Sequence, residues 1–256
     1  MTCSPTQLVT LVGKAAPWLT RLTIEECPNV ADLSALEACT VLRLLVTNWH
    51  HASDLSPLLD LRALRHLDLS SYQAPTPISD LRPLSGLTQL THLDLWRSDV
   101  SDLSPLAGLA LLETLILNFC RRVSELGPLA LRHPRLRNLG LACTSVTELS
   151  GLAGVAGLEY LGLNGTAVSD VAPLAGCTQL RHLGLSRHVV SLVSLSGLTQ
   201  LRTLEMWDYP VASFEGLKPL HGCTALRCLP QVPPFPKWDG QGARDWQEVP
   251  LFDDDA

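Results

Sequence analysis

The sequence predicts an α/β-class repeat solenoid of about ten coils, with a parallel sheet on the concave face and 3-10 turns and irregular chain on the convex face. Three observations predict it. The stretch Val100–Leu117, VSDLSPLAGLALLETLIL, joins a turn-like phrase to an apolar Leu-x-x-Leu-x-Leu phrase. Copies of the apolar phrase begin at Leu19, Leu42, Leu64, Leu90, Leu112, Leu136, Leu158, Leu180, Leu201 and, degraded, Leu226, so the spacings run from 21 to 26 residues. That period suits one strand and one short return per coil, and is too short for helix pairs, which need roughly 33 residues. Third, 46% hydrophobic against 17% charged residues fits a chain that buries an apolar ladder along its whole length, each coil touching only its neighbours.

Such a strand phrase marks a leucine-rich repeat solenoid, expected here as one elongated domain over residues 18–229. Residues 1–17 precede it. Ser4-Pro5 there is a helix-start pair, and Leu8, Leu11 and Val12 recur at helical spacing, which suggests an amphipathic cap over the exposed end of the core. In the second coil, matching Ala38–Leu42 to Gly176–Leu180 makes Leu42 the first strand leucine and buries Thr47. A slip of one residue would bury Val46 instead, because a strand's side chains alternate between faces. The third coil is lengthened by Ser71–Pro77, an expected surface excursion of the kind that carries contacts.

The turn phrase opens on an acid at Asp32, Asp54, Asp80, Asp102, Glu125, Glu148 and Asp170, replaced by Ser191 and Ser213 later. Asp and Ser accept bonds from the free amides of a short turn, and an acid complements its dipole. A cation-binding ladder is the less favoured alternative. Pro57, Pro83, Pro105, Pro128 and Pro173 fall just inside these turns, where a fixed φ helps initiation. The return of each coil is too short for a full α-helix, so 3-10 turns are expected.

Cys39, Cys177 and Cys223 take the slot that Leu87, Leu109 and Leu198 fill elsewhere, and Cys27 and Cys120 take the slot after the strand. They are read as reduced core residues, since a free thiol packs as a small hydrophobe. There is no Cys-x-x-Cys pair to suggest a metal or redox site. After Leu229 the composition changes to a Pro-rich acidic tail, residues 230–256, with Trp238, Trp246 and Phe252. It is expected either to cap the last coil or to order on a partner, and packing is the favoured reading.

The phrases LSPLAGL, ISDLRPLSGLTQLTHLDL and VSDVAPLAGCTQLRHLGL resemble the short-period leucine-rich repeats of internalins and of the protein phosphatase 1 regulatory family, over roughly residues 18–229. The resemblance implies this fold and a concave face that binds proteins. One departure is that no continuous asparagine ladder follows the strands; the slot holds Cys27, His50, Tyr72, Ser98, Cys120, Thr144, Thr166, His188 and Tyr209.

With places one, four and six of each strand phrase inside, places three, five and seven face the open side. Gly140, Gly162 and Gly184 then line up on consecutive strands as a bare trough, with Trp96, Tyr160, His182 and Trp207 around it. These four, with Phe119, Asp68, Asp94 and Glu205, are the candidate partner-binding residues; an aromatic rim beside an open floor suits an inserted anchor. His66-x-Asp68 beside His92-x-Asp94 offers ligands a zinc ion could use, but His182-Leu183-Gly184 keeps the histidine without the acid. Repeat duplication is therefore the favoured reading and no metal or cofactor is expected. Arg43, Arg65, Arg137, Arg181, Arg202 and Arg227 follow the first strand leucine and should line one lateral edge, paired with nearby acids.

Several function classes are disfavoured. A net charge of −6 argues against a nucleic-acid grip. Apolar runs long enough to span a bilayer are absent, and the start does not read as a secretory leader, so a cytoplasmic setting is expected. Phosphate loops, nucleophile elbows and helical histidine pairs are missing, which disfavours an enzyme. The expected function is a non-catalytic scaffold that binds a protein partner through its concave face, possibly within a larger assembly. A ligand-sensing or regulatory arm acting with an effector or phosphatase in trans is the alternative.

Overall fold

The architecture was read from a computed structural model, and the residues it describes are 12, 17–24, 32–47, 51–71, 74–129, 133–206, 219–223 and 227–229. Among them, ten strands form a single parallel sheet in chain order: β1 Arg21–Ile24, β2 Leu44–Thr47, β3 His66–Asp68, β4 His92–Asp94, β5 Thr114–Ile116, β6 Asn138–Gly140, β7 Tyr160–Gly162, β8 His182–Leu185, β9 Thr203–Met206 and β10 Arg227–Leu229. The strands pair in phase. Leu22, Leu45, Leu67, Leu93, Leu115, Leu139, Leu161, Leu183 and Leu204 form one register column, and all nine are buried in the continuous core. An unbroken period aligns like with like in every coil, so one apolar ladder serves the whole length.

The second coil adopts the register in which Thr47 is buried and Val46 faces outward. The Thr47 hydroxyl donates to the Asp68 carbonyl at 3.2 Å, which satisfies the polar group that replaces a leucine. The ladder of hydrogen bonds continues past the strands, as in Arg97 N–H to Asn118 O (3.0 Å), Phe119 N–H to Ala142 O (2.7 Å) and Cys143 N–H to Asn164 O (2.7 Å). At this place the chain turns out of the sheet through the left-handed region: Arg97, Phe119 and Cys143 have φ of 61°, 63° and 58°, and Gly165 has 70°. Three non-glycine residues held there mark a turn enforced by the bonds around it rather than by local preference.

In place of the asparagine ladder stands a column of small donors. Thr144 and Thr166 each donate a hydroxyl to the carbonyl three residues earlier at 2.7 Å. The Cys120 thiol donates to the Leu95 carbonyl at 3.1 Å, beside Ser98.

The convex side carries 3-10 turns at Ser34–Leu36, Ser56–Leu58, Arg82–Leu84, Ser104–Gly108, Gly127–Leu129, Ser150–Leu152, Ala172–Gly176 and Val193–Leu195. Asp32, Asp54, Asp80, Asp102 and Asp170 each accept the amide two residues on at 2.8–2.9 Å. The leucine or valine after the acid is itself the cap residue of the turn. The acid therefore works one position further out than a standard N-cap, closing a small side-chain turn against the first helical amide.

Cys39, Cys120, Cys177 and Cys223 are free and buried, and Cys143 is free and half-buried; Cys27 lies outside the described residues. His133 takes the same core slot as Cys39 and Cys177, and its Nε2 donates to the Leu106 carbonyl at 2.9 Å. The excursion after β3 is tied back rather than free, for Thr76 is buried and bridges to Ser98. Tyr72 and Gln73, the proposed helix at the start and the whole 230–256 tail lie outside the described residues. Val12 alone among residues 1–16 is described, and it is buried in the core. No helix among the described residues is long and apolar enough to cross a membrane.

Candidate binding face

In the described strands β1 to β9, places three and five flank the buried leucine at place four and so fall on the outer face of the sheet. Adjacent strands bring His66 beside His92 and Asp68 beside Asp94. The two imidazoles stack with centroids 4.0 Å apart and planes 4° apart. Burial, and next the charge each ring would place against the other, push the His92 pKa down to about 3, while burial also lowers His66. Both rings are thus neutral at neutral pH. The carboxyls differ in depth: Asp94 is 8% exposed, and burial followed by the neighbouring Asp68 charge raises its pKa. Each closes its strand end, Asp68 Oδ1 accepting the Ser70 amide and Asp94 Oδ1 the Trp96 amide, both at 2.9 Å. No group of three or more His, Cys, Asp or Glu among the described residues is arranged to hold a metal ion.

Trp96 packs against Phe119 with ring centroids 6.0 Å apart. Both are half-buried. Tyr160 and His182 are half-buried neighbours on β7 and β8, centroids 6.4 Å apart. Trp207 lies outside the described residues, so the rim expected from sequence is described at three of its four positions.

The bare trough needs correction. A Cβ on Gly140 would stand 2.8 Å from Asn118 Oδ1, one on Gly184 would stand 2.6 Å from Asn164 Nδ2, and one on Gly162 would stand 3.2 Å from the Tyr160 hydroxyl. The glycine floor is already covered. Asn118 reaches across from the preceding coil and accepts the Ala142 amide at 2.8 Å. Asn164 also reaches over Gly184, but it is its Nδ2 that is engaged, donating to Glu205 Oε2 at 2.9 Å. The signal was present in the sequence as a pairing between coils. Asn118 precedes Gly140 and Asn164 precedes Gly184, whereas Ala142 precedes Gly162, and there Tyr160 supplies the cover instead. Reading each column by itself hides a rule that runs diagonally between columns.

Glu205 is half-buried and its pKa is raised by burial, partly offset by the Asn164 amide. Asn164 is 1% exposed, and its Oδ1 has no hydrogen-bond partner among the described residues. On the lateral edge, Arg137 binds Glu159 at 2.6 Å and Arg181 approaches the same carboxylate at 3.9 Å, so this part of the arginine column is paired as expected. A shallow cleft of about 370 Å³ beside it is lined by Glu113, Arg135, Arg137 and Glu159 among others.

A ten-strand parallel sheet with leucines in register and 3-10 returns defines the class: the chain is a leucine-rich repeat protein. Within that class it is similar to internalins. An internalin of Listeria monocytogenes (inlF) matches at 27% identity over 87% of this chain and 69% of its own, with a TM-score of 0.61. Internalin C2 of the same organism matches at 28% identity over 66% and 72%, with a TM-score of 0.59. A plant peptide hormone receptor solved in complex with RGF2 shares the fold at 16% identity over 82% and 43%, with a TM-score of 0.53. No protein-family profile and no curated protein sequence matches.

Proposed function

We infer that this chain is a non-catalytic scaffold that holds a protein partner against its concave sheet, as a free adaptor or as a subunit of a larger assembly. One observation carries the reading. The two faces use their polar side chains differently: convex acids close exposed turns, whereas the concave face gathers half-buried aromatics beside carboxyls that burial withdraws from water, Asp94 and Glu205. Half-buried aromatic anchors are the residues that dominate protein interfaces. The similarity to internalins supports an interaction module in general. The free, buried thiols support the cytoplasmic setting that forms part of this proposal.

The test uses a photo-crosslinking amino acid at position 68 on the concave face and at position 193 on the convex face. A partner should be captured from the first and not from the second. With that partner purified, Trp96→Ala plus Tyr160→Ala should weaken binding by about 2 kcal/mol or more, and Arg43→Glu plus Arg202→Glu should do less. Capture by position 193, or loss of the partner in the edge variants alone, would move the interface elsewhere.

A further inference from the structure

Between β3 and β9 the concave face carries acids without cations; Arg21 on β1 and Arg227 on β10, which pairs with Thr203, stand in strands beyond that span. At places three, five and seven from β3 to β9, the charged residues are Asp68, Asp94 and Glu205, with no lysine or arginine among them. Four acids elsewhere, Asp60, Asp80, Asp99 and Glu159, are ion-paired with arginine, while exposed turn acids such as Asp32, Asp54 and Asp102 rest on backbone amides in contact with water. Asp68, Asp94 and Glu205 make no ion pair with any residue whose side chain is described, a set that does not include Arg227 on the strand beside Glu205. The histidines beside them do not substitute, because the stacked rings of His66 and His92 favour the neutral form.

These acids are also withdrawn from water, Asp94 most of all, at 8% exposure. A carboxyl that is desolvated and left without a counter-charge costs stability that a cation would restore. The buried, unpartnered Oδ1 of Asn164, on the amide whose nitrogen already binds Glu205, is an independent sign of a missing donor at the same place. A buried acceptor of this kind is ordinarily satisfied.

We propose that the concave face takes a basic segment of its protein partner, with lysine or arginine side chains seated at the Asp68–Asp94 pair and at Glu205 beside Asn164. The proposal rests on the concave reading above and adds the chemistry of the occupant. Side chains with several N–H donors and a positive charge supply what both seats lack, and the arginine fork can serve two carboxylate oxygens together. The seats lie on β4 and β9, five strand intervals or about 24 Å apart along the sheet. That span calls for a polypeptide segment rather than one small cation. Trp96 and Phe119 lie between β4 and β6, and Tyr160 on β7, placing aromatic surface along the same path.

The experiment selects from a random twelve-residue peptide library displayed on phage. Three double variants are compared with the wild-type chain: Asp94→Asn with Glu205→Gln on the face, Glu125→Gln with Glu148→Gln on the convex turns, and Trp96→Ala with Tyr160→Ala on the rim. The first two remove the same charge, so general electrostatic attraction affects them alike. Lysine- or arginine-rich peptides should be enriched, binding at least tenfold more weakly to the face variant and within twofold of wild type to the convex variant. The face variant should melt at or above the wild-type temperature, since it removes unneutralised charge. Enrichment of neutral or acidic peptides that bind the rim variant poorly would overturn the basic occupant while keeping the concave site. Peptides that bind the rim variant as well as wild type, or no enrichment at all, would overturn both.

Discussion

Single residues are constrained most tightly where one coil's backbone meets the next. A Cβ on Gly151 would stand 2.5 Å from the Leu126 carbonyl oxygen, whereas one on Gly86 would meet nothing within 4 Å. Backbone has nowhere to retreat in a packed ladder, so Gly151→Ala should cost about 2 kcal/mol or more, and Gly86→Ala should be neutral or slightly stabilising. Thermal unfolding of the two variants side by side checks this. The cysteines give a second expectation at this scale. Cys39, Cys177 and Cys223 are fully buried, and burial raises their thiol pKa values. Because the thiolate is the reactive form, all three should resist iodoacetamide until denaturant is added; rapid labelling of the folded chain, followed by mass spectrometry, would contradict the core assignment.

Elements set the pH dependence, through groups that pull in opposite directions. His92, with its folded pKa near 3, and His66 are neutral in the fold but titrate near 6.5 in the unfolded chain. Between those values the unfolded chain binds more protons, so stability contributed by β3 and β4 falls as pH drops from about 6.5 toward 3. The turn acids Asp32, Asp54, Asp80 and Asp102 are lowered by the amides and side chains they bind, Asp80 to about 2 with Arg82 as the leading cause. Their contribution is complete above the unfolded value near 4 and is lost as pH falls below it. Asp94 and Glu205 are raised, so theirs is lost as pH rises above about 4. Melting temperatures should therefore fall with decreasing pH more gently than the histidines alone would dictate, and Asp94→Asn with Glu205→Gln should steepen that fall. A flatter profile in the double variant would show that the acids are not destabilised by burial.

Across the described residues each strand pairs only with its neighbours, so damage should remain local. Leu139 is 0% exposed at the centre of the leucine column, and Leu139→Ala should cost about 3 kcal/mol. In a quasi-one-dimensional array that loss loosens the adjoining coils first. Hydrogen exchange should quicken around β5 to β7 and change little at β2 or β9. Uniform acceleration throughout the chain would mean that the array unfolds as a single cooperative block.

The period by itself determined the parallel sheet and, for nine of the ten coils, the register and the inward column. In the tenth the phrase begun at Leu226 is one residue late, because Arg227 pairs with Thr203 and Cys228 with Leu204, so Arg227 stands in the open-face column and not on the lateral edge. Spacing and alternation are local properties that every coil repeats, and ten repetitions leave few alternatives. The Thr47 register was legible for the same reason, since Leu42 aligns with Leu180. The concave surface was legible only as a set of columns. The trough read from Gly140, Gly162 and Gly184 is covered by Asn118, Tyr160 and Asn164. Side-chain reach across strands about 4.8 Å apart decides that, and it depends on rotamers and on which neighbour offers a hydrogen bond. The same limit hid the stacking of His66 on His92 and the depth of Asp94. These arise from distance and desolvation between coils, which a one-dimensional period does not encode.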